Sequence, residues 1–330
     1  MGKRVFKEHI YLRVVVFLLG FIFITNLSAF SQEKIKIGVI LQAEIKPFLD
    51  SLSGIKMILA EKYGEGNVEY ILENIKNDYT KVKDIVEQMR AAKVRVIVSS
   101  GTANTIEVLK NSREIPVVFS VVAYAESITE AANKFGLGDN YTGALSSASA
   151  ERILEVGMKV RSDLGKIGMI YNINEDNARR DKENFEKSCA KFGKDFIAIP
   201  YNDASEIKAA LQKLVDQKVE TLFVPKDSTQ HKNMDLHKEV AYKYKLFTIT
   251  SELQVVPAGG MVLGLSVDTT DTGKLAAEKI IQILDGKKPS TIPVETPKDY
   301  QIWLNMVSAK NTGVTIPVSV IKLADRVITE

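Results

Sequence analysis

The 330-residue sequence predicts an α/β protein of two similar lobes, each a mostly parallel sheet with helices on both faces, joined by a multi-strand hinge. Short β-rich runs alternate with helix-length segments from Lys36 onward, the pattern of parallel strands linked by helical crossovers. The order of segments then occurs twice. Lys36-Ile37-Gly38-Val39-Ile40 returns as Lys166-Ile167-Gly168-Met169-Ile170, and Lys93-Val94-Arg95-Val96-Ile97-Val98 as Lys218-Val219-Glu220-Thr221-Leu222-Phe223. Ile115-Pro116-Val117-Val118-Phe119-Ser120 likewise anticipates Leu246-Phe247-Thr248-Ile249-Thr250-Ser251. The separations, 130, 125 and 131 residues, are nearly constant. They far exceed the roughly 20 to 50 residues of solenoid repeats, so the repeated unit is a whole small domain. Two like domains facing each other make a cleft.

Strands are predicted near 36–41, 68–72, 94–99, 115–120 and 141–145 in the first half, and near 167–171, 195–199, 219–224, 246–250 and 262–267 in the second. Val82, Ile85, Val86 and Met89 recur at helical spacing, as do Ile207, Ala210, Leu211 and Leu214 after a capping box of Asp203 and Glu206. These stripes are core faces. No long Gly/Ser or Pro-rich linker separates the halves, and the join around Tyr141 to Ala150 is short, so the lobes are hinged rather than tethered. Asp271 to Gly286 reads as a further helix, with Ala276, Ile280, Ile283 and Leu284 on one face and Gly286 as its stop; a Pro-marked run, Pro289 to Pro297, follows. The second lobe does not need these pieces. The chain is therefore expected to return to the first lobe (32–144 plus 267–296). It then finishes on the second (145–266 plus 297–330) with Tyr300 to Asn305 and a closing helix.

Residues 1–31 are of another kind. Lys3, Arg4, Lys7 and Arg13 surround the start of an apolar run, Val14 to Ile24, and Ala29-Phe30-Ser31 offers small residues for cleavage. An export signal peptide is expected, with the mature chain starting at Gln32. Even stretched to Phe30, the run holds about 17 residues against the ~20 that a spanning helix needs, which makes an uncleaved anchor the weaker alternative. The whole chain has 44 basic and 41 acidic residues, of which this segment takes four and one, leaving 40 of each. A balanced chain has no long-range pull toward nucleic acid or an anionic membrane. The only cysteine, Cys189, lies deep in the sequence, so neither an intrachain disulfide nor a lipid-bearing Cys at the signal boundary is expected. A soluble periplasmic protein fits these features.

Catalytic signatures are missing. His231 and His237 are the only histidines beyond the signal and have no second pair of ligands nearby in sequence, so they are expected on an exposed helix face rather than at a metal. There is no G-x-S-x-G elbow, no G-x-x-x-x-G-K-[ST] phosphate loop and no G-x-G-x-x-G fingerprint after the first strand. Asp227 and Glu252 are compatible with an acid–base pair, but carboxylates are common. No enzyme activity, cofactor or metal is expected.

Ligands of open parallel sheets sit beyond the carboxyl ends of the strands, so the loops there are the candidates. Ser99-Ser100-Gly101-Thr102 leads straight into a helix from Ala103 to Leu109 and offers hydroxyls and free N–H groups to an anion such as a carboxylate. Alternatively, Thr102 only caps that helix. The matching loop of the second half, Pro225-Lys226-Asp227-Ser228-Thr229, carries an acid. A zwitterionic α-amino acid suits this asymmetry, with its carboxylate at Ser100, Gly101 and Thr102 and its ammonium at Asp227, helped by Ser228. Asp227 as a plain N-cap is the competing reading. Glu252 is a second candidate for the cationic end. Tyr171 and Asn172 offer an aromatic face and an amide, while Gln42, Glu44 and Tyr124 follow strands of the first half.

From Lys36 onward the chain resembles the substrate-binding proteins of ABC importers, in the branch linked to tryptophan and other aromatic amino acids. The tail carries most of the resemblance: Ile292-Pro293-Val294-Glu295-Thr296-Pro297-Lys298-Asp299-Tyr300, Asn305, Ala309, Gly313, Ile316-Pro317 and Ala324-Asp325-Arg326-Val327-Ile328. Ile115-Pro116-Val117-Val118-Phe119 and Ile167-Gly168-Met169-Ile170-Tyr171-Asn172 match as well. The resemblance implies two Rossmann-like lobes of the type I periplasmic binding class, a ligand in the cleft, and delivery to a membrane permease and its ATPase, with the binding protein itself a monomer. It supports Ser100, Thr102, Asp227 in a Pro-x-Asp loop, and Glu252 as ligand positions. Two departures bear on the ligand: Ser120-Val121-Val122-Ala123-Tyr124-Ala125 stands where relatives tend to have a Thr-Asp-Pro turn, and Ser146-Ser147 replaces a more usual Ser-Asp. A ligand-sensing module and a binding protein for a sugar or other small solute are the alternatives. The only tryptophan, Trp303, falls in a predicted C-terminal strand, which leaves few aromatic stackers for a sugar.

Overall fold

The structure is a computed structural model that describes residues 34–330; the expected signal peptide and Gln32 lie outside them. The first lobe runs β1 (Ile35–Leu41), α1 (Lys46–Tyr63), β2 (Val68–Asn74), α2 (Val82–Ala91), β3 (Val96–Ser100), α3 (Thr102–Asn111), β4 (Val117–Val122), α4 (Ala125–Phe135) and β5 (Tyr141–Leu145). Its five strands pair in the order β2-β1-β3-β4-β5, all parallel. Central strands are buried on both faces. In β1, Ile37, Val39 and Leu41 enter the core beneath α1, while Ile40 enters the opposite core beneath α2 and α3.

The second lobe follows with α5 (Ala150–Val160), β6 (Ile167–Asn172), α6 (Asp176–Lys191), β7 (Phe196–Tyr201), α7 (Ile207–Asp216), β8 (Thr221–Val224), α8 (Ser228–His231), α9 (Met234–Tyr244), β9 (Phe247–Thr250) and β10 (Leu263–Val267). The duplicated Lys-Ile-Gly motif has a packing reason. A Cβ on Gly38 would lie 2.5 Å from Met89 Sδ, and one on Gly168 would lie 2.7 Å from a Val219 methyl, so each glycine lets the next helical unit sit on its strand. The duplication extends to backbone shape: Lys93 and Lys218, just past α2 and α7, have φ of 60° and 59°.

After β10 the chain re-enters the first lobe as α10 (Thr269–Leu284), whose start is capped by Asp268 accepting from Thr270 N–H at 2.6 Å. The helix lies against α1 at unusually close range, because Gly54 meets the Thr270 carbonyl and Gly273 the Ser51 carbonyl, where any Cβ would collide. Glu295 then bridges Ala144 beside β5, and the fully buried Lys279 ties down this return by donating to Pro293 O and Glu295 Oε2. The chain crosses back to β11 (Tyr300–Asn305), antiparallel to β10, and continues through α11 (Met306–Thr312) and α12 (Val318–Ile321) to β12 (Arg326–Ile328). The second sheet thus has the order β12-β11-β10-β9-β8-β6-β7. Three segments connect the lobes: one after β5, one after β10 and one before β11.

Strand positions agree with the sequence reading, and two local expectations fail. The chain does not close on a helix. Asp325 exchanges hydrogen bonds with both backbone groups of Ile302, which lays Arg326–Ile328 beside β11 as an edge strand. The capping box is also displaced: Asp203 accepts from Ser205 N–H, but Glu206 reaches back to the N–H of Asn202. No helix among the described residues is long and apolar enough to cross a membrane.

Candidate functional site

The carboxyl ends of both sheets face a shared cleft of about 960 Å³. From the first lobe it is lined by Gln42, Phe48, Gly101, Thr102, Ile106 and Val121 among others, and from the second by Glu175, Lys226, Asp227, Ser228, His231 and Glu252.

On the first wall, Gly101 has φ +90°, and a Cβ there would strike Gln42 Oε1 and crowd Phe48. Glycine is therefore required for Gln42, itself held by Asn77 Oδ1 at 3.1 Å, to lie over the loop. Gly101, not Thr102, is the N-cap of α3; Thr102 is the first helical residue and its hydroxyl makes no capping bond. The N–H groups of Thr102 and Ala103, at the start of α3, have no intrahelical acceptor, and both residues line the cleft. Ser100 does not line it. Its hydroxyl is buried 3.4 Å from that of Ser120, and the Ser99 hydroxyl bonds Thr105 at 2.9 Å, so both turn into the lobe. Glu44 is exposed outside the lining, as strand β1 has already ended.

On the second wall, Asp227 is fully buried and its carboxylate is saturated. Oδ1 accepts from Tyr201 OH at 2.6 Å and from the N–H groups of Thr229 and Gln230; Oδ2 accepts from Asn172 N–H and Gln230 Nε2, both at 2.8 Å. Asp227 is therefore the N-cap of α8 and the anchor of its loop, which leaves no lone pair for the ligand ammonium the sequence suggested. Glu175 shares the task by accepting from the N–H and hydroxyl groups of Ser228 and Thr229. Ser228 sits exposed at the rim, turned toward Glu175, and Asn172 supports Thr229 through its amide at 3.1 Å. Tyr171 packs on the second-lobe core rather than facing the cleft. His237 is wholly buried instead of exposed, because α9 turns it inward to donate from Nε2 to Gln230 Oε1 at 2.9 Å; burial lowers its pKa to about 4. His231 is half-buried in the cleft wall with Nε2 2.9 Å from Pro225 O.

Besides the saturated Asp227, Glu175, held by the Ser228–Thr229 loop, and the linked Glu130, Asp176 and Arg180, the charged residues lining the cleft are Lys134 on the first wall and Lys226 and Glu252 on the second. Lys226 Nζ lies 3.4 Å from Glu252 Oε1 and 3.4 Å from Ser251 O. The Lys226 backbone N–H donates to Asp181 Oδ2 at 2.6 Å, and Tyr124 of the first lobe donates its hydroxyl to the other Asp181 oxygen. Tyr124 thus bonds the opposite lobe. Burial raises the pKa of Asp181 above the ordinary carboxylate range, with Lys226 opposing, and burial together with the Asp181 charge raises that of Tyr124. Two more contacts extend this seam between α4 and α6: Ser127 Oγ donates to Asp176 at 2.6 Å, and Arg180, braced on Asp176 within α6, donates to Glu130.

Of the residues singled out by sequence, Gln42, Gly101, Thr102, Asp227, Ser228 and Glu252 line one cleft, whereas Glu44, Ser100, Tyr124, Tyr171 and Asn172 do not. Sequence reasoning missed Lys226, although it lies inside the Pro-Lys-Asp loop, as well as Glu130, Asp176, Arg180 and Asp181. For the last four the only sequence signal is position, in the first two turns of the helices that follow β4 and β6 at the ligand end of each sheet.

Residues 35–328 match the family described as ABC transporter substrate binding protein. The chain belongs to this family. It is 25% identical over 283 residues to a tyrosine-binding protein of Clostridioides difficile, covering 85% of this chain and 81% of that one. The fold is shared with the ligand-free, open structure of a substrate-binding protein with adhesive properties from Clostridium difficile (TM-score 0.75, 21% identity, 89% and 99% of the two chains). It is shared also with an ABC domain in complex with L-Trp from Streptococcus pneumonia (TM-score 0.66, 24% identity, 88% and 100%). These likenesses fit a two-lobed type I periplasmic binding fold. Family members are substrate-binding proteins, not enzymes.

Proposed function

We propose that the protein is the extracytoplasmic solute-binding component of an ABC importer, and that it captures a small zwitterion, an amino acid and foremost an aromatic one, in the inter-lobe cleft. The observation that carries this reading is the asymmetry of the walls. The first presents the free N–H groups and hydroxyl at the start of α3 to a carboxylate, and the second presents Glu252, beside Lys226, to an ammonium. Phe48 and Ile106 supply apolar surface on the same cleft. The tyrosine-binding relative and the L-Trp complex support the ligand class. Closure around the ligand presents the closed form to a permease and its ATPase, with the binding protein acting as an exported monomer.

Thermal unfolding of the mature protein, refolded to strip carried-over ligand, against amino acids, peptides, sugars and carboxylates tests this. A cognate amino acid at ~1,000 times its dissociation constant adds about 4 kcal/mol and raises the unfolding temperature by several degrees. A shift with a sugar and none with any amino acid refutes the zwitterion assignment.

A further inference from the structure

Strand β4 ends in a bulge. Its pairing with β5 holds from Val117 opposite Tyr141 to Phe119 opposite Gly143 and resumes with Val122 opposite Leu145, so β4 accommodates one extra residue. That residue is taken up around Val121, whose φ is +53°. Among the described residues, the other non-glycine positions with positive φ are lysines and an asparagine: Lys76, Asn77, Lys93, Lys218 and Lys245. A side chain branched at Cβ is the poorest occupant of this left-handed region, and strain of this kind persists only where the surroundings impose it.

The bulge changes which way two side chains face. Val117 and Phe119 belong to the core under α2 and α3, and Val118 to the core under α1, as alternation requires. Past the bulge the parity is reversed: Val122 joins Phe119, and Val121 joins Val118 at the edge of the core that contains Phe48. Val121 is half-buried there and lines the cleft. Its neighbours are fixed by backbone bonds, Gly101 N–H to Ser120 O and Ser146 N–H to Val122 O.

The internal duplication supplies a second, independent observation. The 131-residue separation that relates Ile115–Ser120 to Leu246–Ser251 places Ser120 in register with Ser251 and Val121 in register with Glu252. Glu252 has ordinary extended backbone, φ −118°, and lines the same cleft. Equivalent positions of the two lobes thus present a carboxylate on one wall and a strained aliphatic group on the other.

We propose that Val121 is a specificity-determining residue of the ligand site. The bulge holds its isopropyl group as an apolar stop on the first wall, so the site takes a solute whose cationic end meets Glu252 and whose apolar face meets Val121. A polyhydroxylated solute is rejected, because its hydroxyls would be stranded against that stop. This deepens, and rests on, the amino-acid reading above.

The test is Val121→Asn, which tolerates the left-handed backbone and replaces the apolar surface with an amide, beside Val121→Ile, which keeps a branched apolar group. Unfolding temperature without ligand and calorimetric affinity for L-tyrosine, L-tryptophan and D-ribose are measured for each. Val121→Asn is expected to unfold at or above the wild-type temperature while binding the amino acids at least tenfold more weakly, and Val121→Ile to stay within threefold. A marked loss of stability in Val121→Asn overturns the inference, because Val121 is then ordinary core packing. Affinity within threefold of wild type also overturns it while leaving the amino-acid reading intact. If the wild type binds D-ribose and neither amino acid, both fail, and the wild-type measurement alone identifies that case.

Discussion

Replacing Tyr124 by phenylalanine removes one hydroxyl and keeps the ring, which isolates the bond between the lobes. In the structure that hydroxyl donates to Asp181, a buried carboxylate whose other oxygen holds the Lys226 backbone N–H in the ligand loop. A hydrogen bond to a charged group contributes about 1.5–3 kcal/mol net. Because this one joins the two lobes, its loss is expected to lower the population in which α4 and α6 meet by roughly ten- to 150-fold at 1.4 kcal/mol per decade. A ligand that binds the closed form must supply the difference, so its affinity is expected to fall by up to the same factor. Small-angle scattering of the ligand-free protein and calorimetric titration check both quantities: the radius of gyration rises and the dissociation constant increases. An unchanged radius together with an unchanged constant refutes the role assigned to the seam. Reduced thermal stability with unaltered binding refutes it as well, since the hydroxyl would then serve only its own lobe.

The roles of the paired cleft charges are tested by neutralising each, Lys226→Met and Glu252→Gln, both expected to weaken amino-acid binding at least tenfold by calorimetry while the fold survives, since both groups line the cleft. Asp227→Asn is expected to act on stability: it disturbs five hydrogen bonds at a buried site and costs about 3–5 kcal/mol in urea unfolding. Native-like stability with lost binding would instead restore Asp227 as a ligand contact. His237 titrates at about 4 in the folded protein, below its ordinary 6.5, so the unfolded chain takes up the proton first as pH falls. Its contribution is whole above pH ~6.5 and declines by about 3 kcal/mol toward pH ~4. His237→Gln should flatten that part of the stability profile measured by denaturant midpoints, and an unaltered slope would contradict the burial argument.

The strands were legible because their residues are buried on both faces, which produces unbroken apolar runs such as Val96 to Val98 and Leu222 to Val224. The duplicated glycines were legible as a repeat, though their reason, the approach of Met89 and Val219, is a packing fact. Gln42, Gly101, Thr102 and Glu252 reached the cleft because strand ends in a parallel sheet converge on one edge. Ser100 and Tyr171 were misplaced because the last residue or two of a strand point to alternate faces, and parity at a strand end depends on where the pairing stops.

By itself, then, the sequence determined two duplicated α/β units with loops of opposite character facing a cleft, since strand burial and local turn chemistry are properties of short segments. Tertiary structure alone decided which polar groups remain free. Asp227 is spent on Tyr201 and Asn172, 26 and 55 residues away, and Tyr124 on Asp181, 57 residues away. A carboxylate or hydroxyl acts on a ligand only if no nearer partner claims it, and those partners are brought in by the fold.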